Sequence, residues 1–121
     1  MTDAIRPLVS RVPEGWSRAV AAPPPPEPAP GSFAEFASAV AFGELWNREE
    51  LSVRERRIAV LAALATQGSW EGVATHLSSA VALGDLTRAE VEEIAVTLSV
   101  YAGVAVGVRL AALNQAGDDD A

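Results

Sequence analysis

The 121-residue chain has no cysteine and a single histidine, His76. Without a thiol it can form no disulfide and no thiolate nucleophile, a composition that fits a cytoplasmic protein. Proton transfer near neutral pH must then use His76 or a carboxylate with a shifted pKa. No uninterrupted apolar run is long enough to span a membrane: Arg54, Glu55, Arg56 and Arg57 break the stretch before Ile58. The N-terminus lacks a charged segment followed by an apolar one, so no secretory signal is read.

Positive charge is also scarce. The formal net charge is −7 and the pI is about 4.6, which argues against nucleic acid as a partner. Arg54, Arg56 and Arg57 are the nearest approach to a basic cluster, and on a helix those three do not form one stripe. Nor is there any convincing period-two alternation, which leaves helix as the dominant element.

What the chain has in quantity is apolar surface. Half of its residues are hydrophobic, and the segment available for a core is only about ninety residues long, a size at which much of the surface stays exposed. The excess predicts burial against other subunits, hence a homo-oligomer.

Residues 1–31 read as a Pro-rich arm or linker. Pro23 to Pro26, Pro28 and Pro30 must be extended, because proline lacks an amide donor and biases its predecessor away from helix. The segment before them is either a disordered leader or an arm, anchored by Trp16, lying across a neighbouring subunit. The end of the chain, residues 117–121, reads as an acidic solvated tail carrying Asp118, Asp119 and Asp120.

Residues 32–116 between them read as all-α. Three capping boxes punctuate the segment: Ser32 with Glu35, Ser52 with Glu55, and Thr87 with Glu90. They predict helices over about Phe33–Trp46, Val53–Gln67 and Arg88–Tyr101. Ser69 is a further N-cap, for a helix from Trp70 to about Leu83, and a last helix follows Gly103 to about Asn114. Gly68 and Gly84 stop the second and third of these helices. The expected architecture is a small helical bundle with short connections.

Four landmarks in this order resemble the carboxymuconolactone decarboxylase family, which also contains the alkyl hydroperoxidase D-type proteins. They are Gly43-x-x-Trp46; Leu51 followed by Arg56; His76 followed by Ala80 and Gly84; and the run from Glu90 and Glu93 to Tyr101 and Gly103. The resemblance covers about two thirds of the chain. It implies a homo-oligomer, a trimer or a hexamer built from one, and a site around the histidine.

The chain departs from the family pattern at telling places. The Cys-x-x-Cys pair of the peroxidase branch falls on Ser69 and Gly72, so thiol-based peroxide reduction is impossible. The glutamate that decarboxylase members place four residues before the histidine is also Gly72. Glu71 stands one residue too early, at i−5, a position rotated by about 140° from the histidine.

His76 shares its helical face with Val73, Leu77 and Ala80, so it points inward. It is either a core histidine with satisfied nitrogens or a neutral general acid/base in an apolar pocket. Thr97 and Tyr101, at i and i+4, can present two hydroxyls together. Arg56 can hold a substrate carboxylate or pair with an acid such as Glu93. Trp46, which can equally cover a core edge, and Glu71 complete the candidate substrate contacts.

No metal and no organic cofactor is expected, since one histidine without cysteine offers no metal-like ligand spacing. The expected activity is cofactor-free acid/base chemistry on a small carbonyl or lactone compound: decarboxylation, isomerisation or cyclisation, as in natural-product biosynthesis or aromatic metabolism. The alternative is a non-catalytic oligomeric binding or scaffold protein that retains the fold.

Overall fold

A computed structural model describes residues 2–119. Among them are seven α-helices and no strand: α1 (Thr2–Val9), α2 (Val12–Ala19), α3 (Phe33–Ser38), α4 (Val53–Gln67), α5 (Trp70–Ala82), α6 (Arg88–Tyr101) and α7 (Val104–Asp119). They pack as two compact units, divided between Val53 and Arg54.

The first unit begins with ordered structure. Instead of a leader without structure, two helices precede the proline run. α2 begins with Pro13 in its first turn, where the missing amide would have had no helical partner. The proline run itself is extended, as its chemistry demands. Trp16 is anchored within its own chain: its indole nitrogen donates to the Ala22 carbonyl at 2.8 Å, and its ring meets Phe42 edge-on with centroids 4.8 Å apart.

The single helix expected over Phe33–Trp46 changes pitch twice. α3 gives way to a π-helical stretch, Ala39–Glu44, and then to a 3-10 turn, Leu45–Asn47. The wider turn coincides with two close backbone approaches. A Cβ on Gly15 of α2 would collide with the Phe42 carbonyl, and one on Gly43 would collide with that of Leu8. Asn47, which is buried, ties these pieces together. Its amide nitrogen donates to the carbonyls of Arg11 and Phe42 at 3.0 Å and of Gly43 at 3.1 Å. Its amide oxygen accepts from Arg18 at 2.9 Å.

The second unit follows the sequence pattern closely. α4, α5, α6 and α7 bury Leu61, Ala65, Val73, Leu77, Val91 and Leu110 in one core. α4 and α5 end where glycine was expected to stop them, with Gly68 at φ 75° and Gly84 at φ 79°. The Thr87–Glu90 capping box is complete. Thr87 Oγ1 accepts from the Glu90 amide at 3.1 Å, and the Glu90 carboxylate accepts from the Thr87 amide at 2.9 Å. Replacing Thr87 with Ala should therefore lower stability by about 1 kcal/mol in urea denaturation, the usual cost of a lost cap.

Other caps depart from expectation. Glu35 reaches back to the amide of Gly31 at 2.9 Å, one residue before its cap. Ser69 makes no side-chain capping bond, and α5 starts from its backbone carbonyl, which accepts from Val73 at 3.0 Å. The acidic end is helical as well. α7 runs through Asp118 and Asp119, and Gln115 donates to the Asp119 carboxylate at 3.0 Å. Asp120 lies outside the described residues. Among the described residues no helix is long and apolar enough to cross a membrane.

Candidate functional site

The second unit buries one cation completely. Arg57, on the first turns of α4, has a side chain with no exposed surface. It sits there because it is four residues before core Leu61, on the buried stripe of the helix. A buried guanidinium must be paired on several of its donors or it destabilises the fold.

An acid and an imidazole pair with it. Nε and Nη2 of Arg57 both donate to one carboxylate oxygen of Asp85, at 3.1 and 3.0 Å. Nη1 lies 2.7 Å from Nδ1 of His76 on α5. Asp85 belongs to the short loop between α5 and α6, which Arg54 clamps as well. Arg54 donates to the Asp85 carbonyl at 3.0 Å and forms an ion pair with Glu90. With Arg54 as neighbour and the Thr87 amide as donor, the Glu90 carboxyl is held at about 2.

The contact between Arg57 and His76 sets the chemistry of the imidazole. A guanidinium has donors only, so Nδ1 of His76 must be the acceptor. The neutral ring then carries its proton on Nε2. Burial, with the nearby charge of Arg57, lowers the pKa of His76 to about 4. At neutral pH the ring is therefore an uncharged hydrogen-bond donor through Nε2, and its basic lone pair is occupied by Arg57. An imidazole in this state is suited to polarising a carbonyl or steadying an enolate oxygen. Taking up a proton at Nδ1 would require giving up the bond to Arg57.

The remaining candidates occupy other positions. Arg56 is buried, but it is Arg57, one residue on and turned by about 100°, that meets His76. Thr97 is exposed, and its hydroxyl donates to the Glu93 carbonyl one turn back at 3.0 Å. It lines a small cleft of about 320 Å³ with Arg54, Ile58, Glu90 and Glu93, and His76 is not among the walls of that cleft. Tyr101 is 88% exposed. Glu71 is exposed, and Trp46 is buried in the first unit. A Cβ at Gly72, where the family glutamate would stand, would lie 3.2 Å from Leu64, so any side chain there must displace that leucine. Among the described residues no three of His, Cys, Asp and Glu are gathered as metal ligands.

Two residues of the constellation, Arg57 and Asp85, were not anticipated. Arg54 and Arg57, at i and i+3, share a helical face that Arg56 does not, which was a readable hint. Asp85 carried no signal, since only the folded loop brings it to a helix that begins about thirty residues earlier.

Short helices around a buried guanidinium, shared between an imidazole and a carboxylate, define an all-α protein with one imidazole-bearing site. The family model described as the carboxymuconolactone decarboxylase family matches residues 31–116, the larger part of the chain. The chain belongs to that family. No match was found among curated proteins or among solved structures.

Proposed function

We propose that the chain is a cofactor-free, cytoplasmic lyase that decarboxylates a small carboxylate bearing a carbonyl or lactone group β to the carboxyl. The observation that carries this reading is the bond from Arg57 to Nδ1 of His76. A donor with no available base suits a reaction that needs none. The bond to the carboxylate breaks, carbon dioxide leaves, and the electron pair moves into the carbonyl to form an enolate. The Nε2 proton of His76 steadies the enolate oxygen, and solvent protonates the carbon. The chain has no lysine, so decarboxylation through a lysine imine is closed to it. Isomerisation or cyclisation would instead form the enolate by loss of a proton from carbon, and would need a base other than Nδ1 of His76.

Thr97 and Tyr101 enter the proposal as hydroxyls that orient the substrate, Arg56 as a cation for its carboxylate, and Trp46 and Glu71 as further contacts. The exposure of Tyr101, together with that of Val96, Val100, Val104 and Val108 on α6 and α7, supports self-association into a trimer or hexamer. Light scattering is expected to find an oligomer at micromolar concentration; a stable monomer would contradict this part.

The test is carbon dioxide release from a panel of 3-oxo acids and carboxylated lactones. His76→Ala should slow turnover by about 10²–10³-fold, as loss of one oxyanion donor does. His76→Gln should stay within about tenfold of the parent, because its amide can accept from Arg57 and donate to substrate. Equal loss in both variants would mean that a titrating imidazole is required. Full activity in His76→Ala would end the reading.

A second reading is favoured by the mutual satisfaction of Arg57, His76 and Asp85. Such a network also serves as internal bracing in a non-catalytic binding or scaffold protein. A folded oligomer that turns over nothing in the panel would support it.

A further inference from the structure

The first unit encloses a cavity of about 850 Å³, which the chemistry proposed for His76 does not use. Ile5 and Val9 of α1, Val12 and Trp16 of α2, and Phe42 of the π-helical stretch form its floor. Pro24, Pro25, Pro26, Pro28 and Pro30 of the proline run line it as well.

The polar side chains around it are turned to their own backbone. Trp16 Nε1 donates to the Ala22 carbonyl at 2.8 Å, Ser10 Oγ to Pro7 at 3.0 Å and Ser38 Oγ to Glu35 at 3.2 Å. The Glu35 carboxylate accepts from the Gly31 amide at 2.9 Å. Arg6 and Glu27, of opposite sign, also line the space and together select no charge. The rest of the lining is mainly aromatic and aliphatic.

We propose that this cavity binds an uncharged, largely apolar small molecule with an aromatic or acyl body. Its volume lies within the 300–1,000 Å³ range, roughly, of small-molecule sites. A mostly apolar lining makes shape and dispersion the main basis of recognition. Fixed proline φ angles keep one wall formed before the ligand arrives, which lowers the ordering cost of binding. Trp16 and Phe42, already packed edge to face, supply rings against which a flat molecule stacks.

The uncharged fluorophore N-phenyl-1-naphthylamine tests this on the full chain. Saturable binding of one probe per chain is expected, with enhanced, blue-shifted emission. Ala34 lines the cavity from an exposed position on α3, so Ala34→Phe should fill the space without disturbing the fold. It should weaken the probe at least tenfold, and Glu92→Gln at an exposed position on α6 should leave it unchanged. In the parent protein, nuclear Overhauser contacts from the probe to the rings of Trp16 and Phe42 are expected whether or not the blocked variant folds. Absence of saturable binding, or binding that survives Ala34→Phe and loses its contacts to Trp16, overturns the proposal. So does loss of the site as protein concentration rises, which would mean that a second copy of the chain occupies it.

Discussion

Replacing Arg57 with Ala should lower stability by about 3 kcal/mol, the lower end of the cost of breaking a buried ion pair. The lower end applies because the Asp85 side chain keeps 14% of its surface in water, whereas that of Arg57 has none exposed. The loss has two parts. Asp85 would lose both guanidinium donors, and Nδ1 of His76 would lose the donor Arg57. Urea denaturation of the variant and parent measures the total. The pKa of His76 should also rise, because the cation that disfavours its protonated form is gone. Arg57→Lys should recover little of the stability, since an ammonium cannot bridge two partners as a planar fork does.

Gly15→Ala should be as damaging, at about 3 kcal/mol or more. The added methyl would overlap the backbone carbonyl of Phe42, and Phe42 Cα would lie 2.9 Å from it. A flexible side chain could swing away from such a contact, but a backbone cannot do so without parting α2 from the π-helical stretch. The same separation would disturb the edge-to-face pair of Trp16 and Phe42 and the bonds that Asn47 makes to both segments. Loss of Trp16 fluorescence anisotropy and a lower urea midpoint would register it. An unchanged midpoint would mean that the approach is looser than the geometry here.

These two residues mark the limits of what the sequence reveals. Local chemistry announced α4, α5 and α6: Thr87 and Glu90 cap one of them, and Gly68 and Gly84 end the other two. α1 and α2 were hidden because Pro7, Pro13 and Gly15 look like helix breakers. Pro13 is harmless in a first turn, and Gly15 is needed for an approach visible only in three dimensions. The π-helical turn at Ala39–Glu44 had no local signal at all. In the site, a lone histidine on an apolar face was readable, as was its inward direction. Its partner was not, because three arginines lie within four residues and only packing decides which is buried. Asp85, on a loop, is brought to Arg57 by the whole of the second unit.

The depressed pKa of His76 also gives stability a characteristic pH dependence. The unfolded ring takes up its proton near 6.5, whereas the folded one resists until about 4. The unfolded state thus binds more protons between those values. The contribution of His76 is fully present above pH 6.5 and is lost as pH falls toward 4. Glu90 acts in a lower window, from its ordinary 4.5 down to about 2. Urea denaturation of His76→Gln should accordingly lack the upper slope and keep the lower one.

The central claim is that Arg57 holds His76 as a neutral ring with its proton on Nε2, and nitrogen-15 NMR of the imidazole tests it directly. With one histidine in the chain, every ring signal from the untagged protein belongs to His76. At pH 7 the spectrum should give a protonated Nε2 and an unprotonated Nδ1, and the ring should titrate near pH 4. A proton on Nδ1, or a midpoint near the ordinary value of 6.5, would contradict the account.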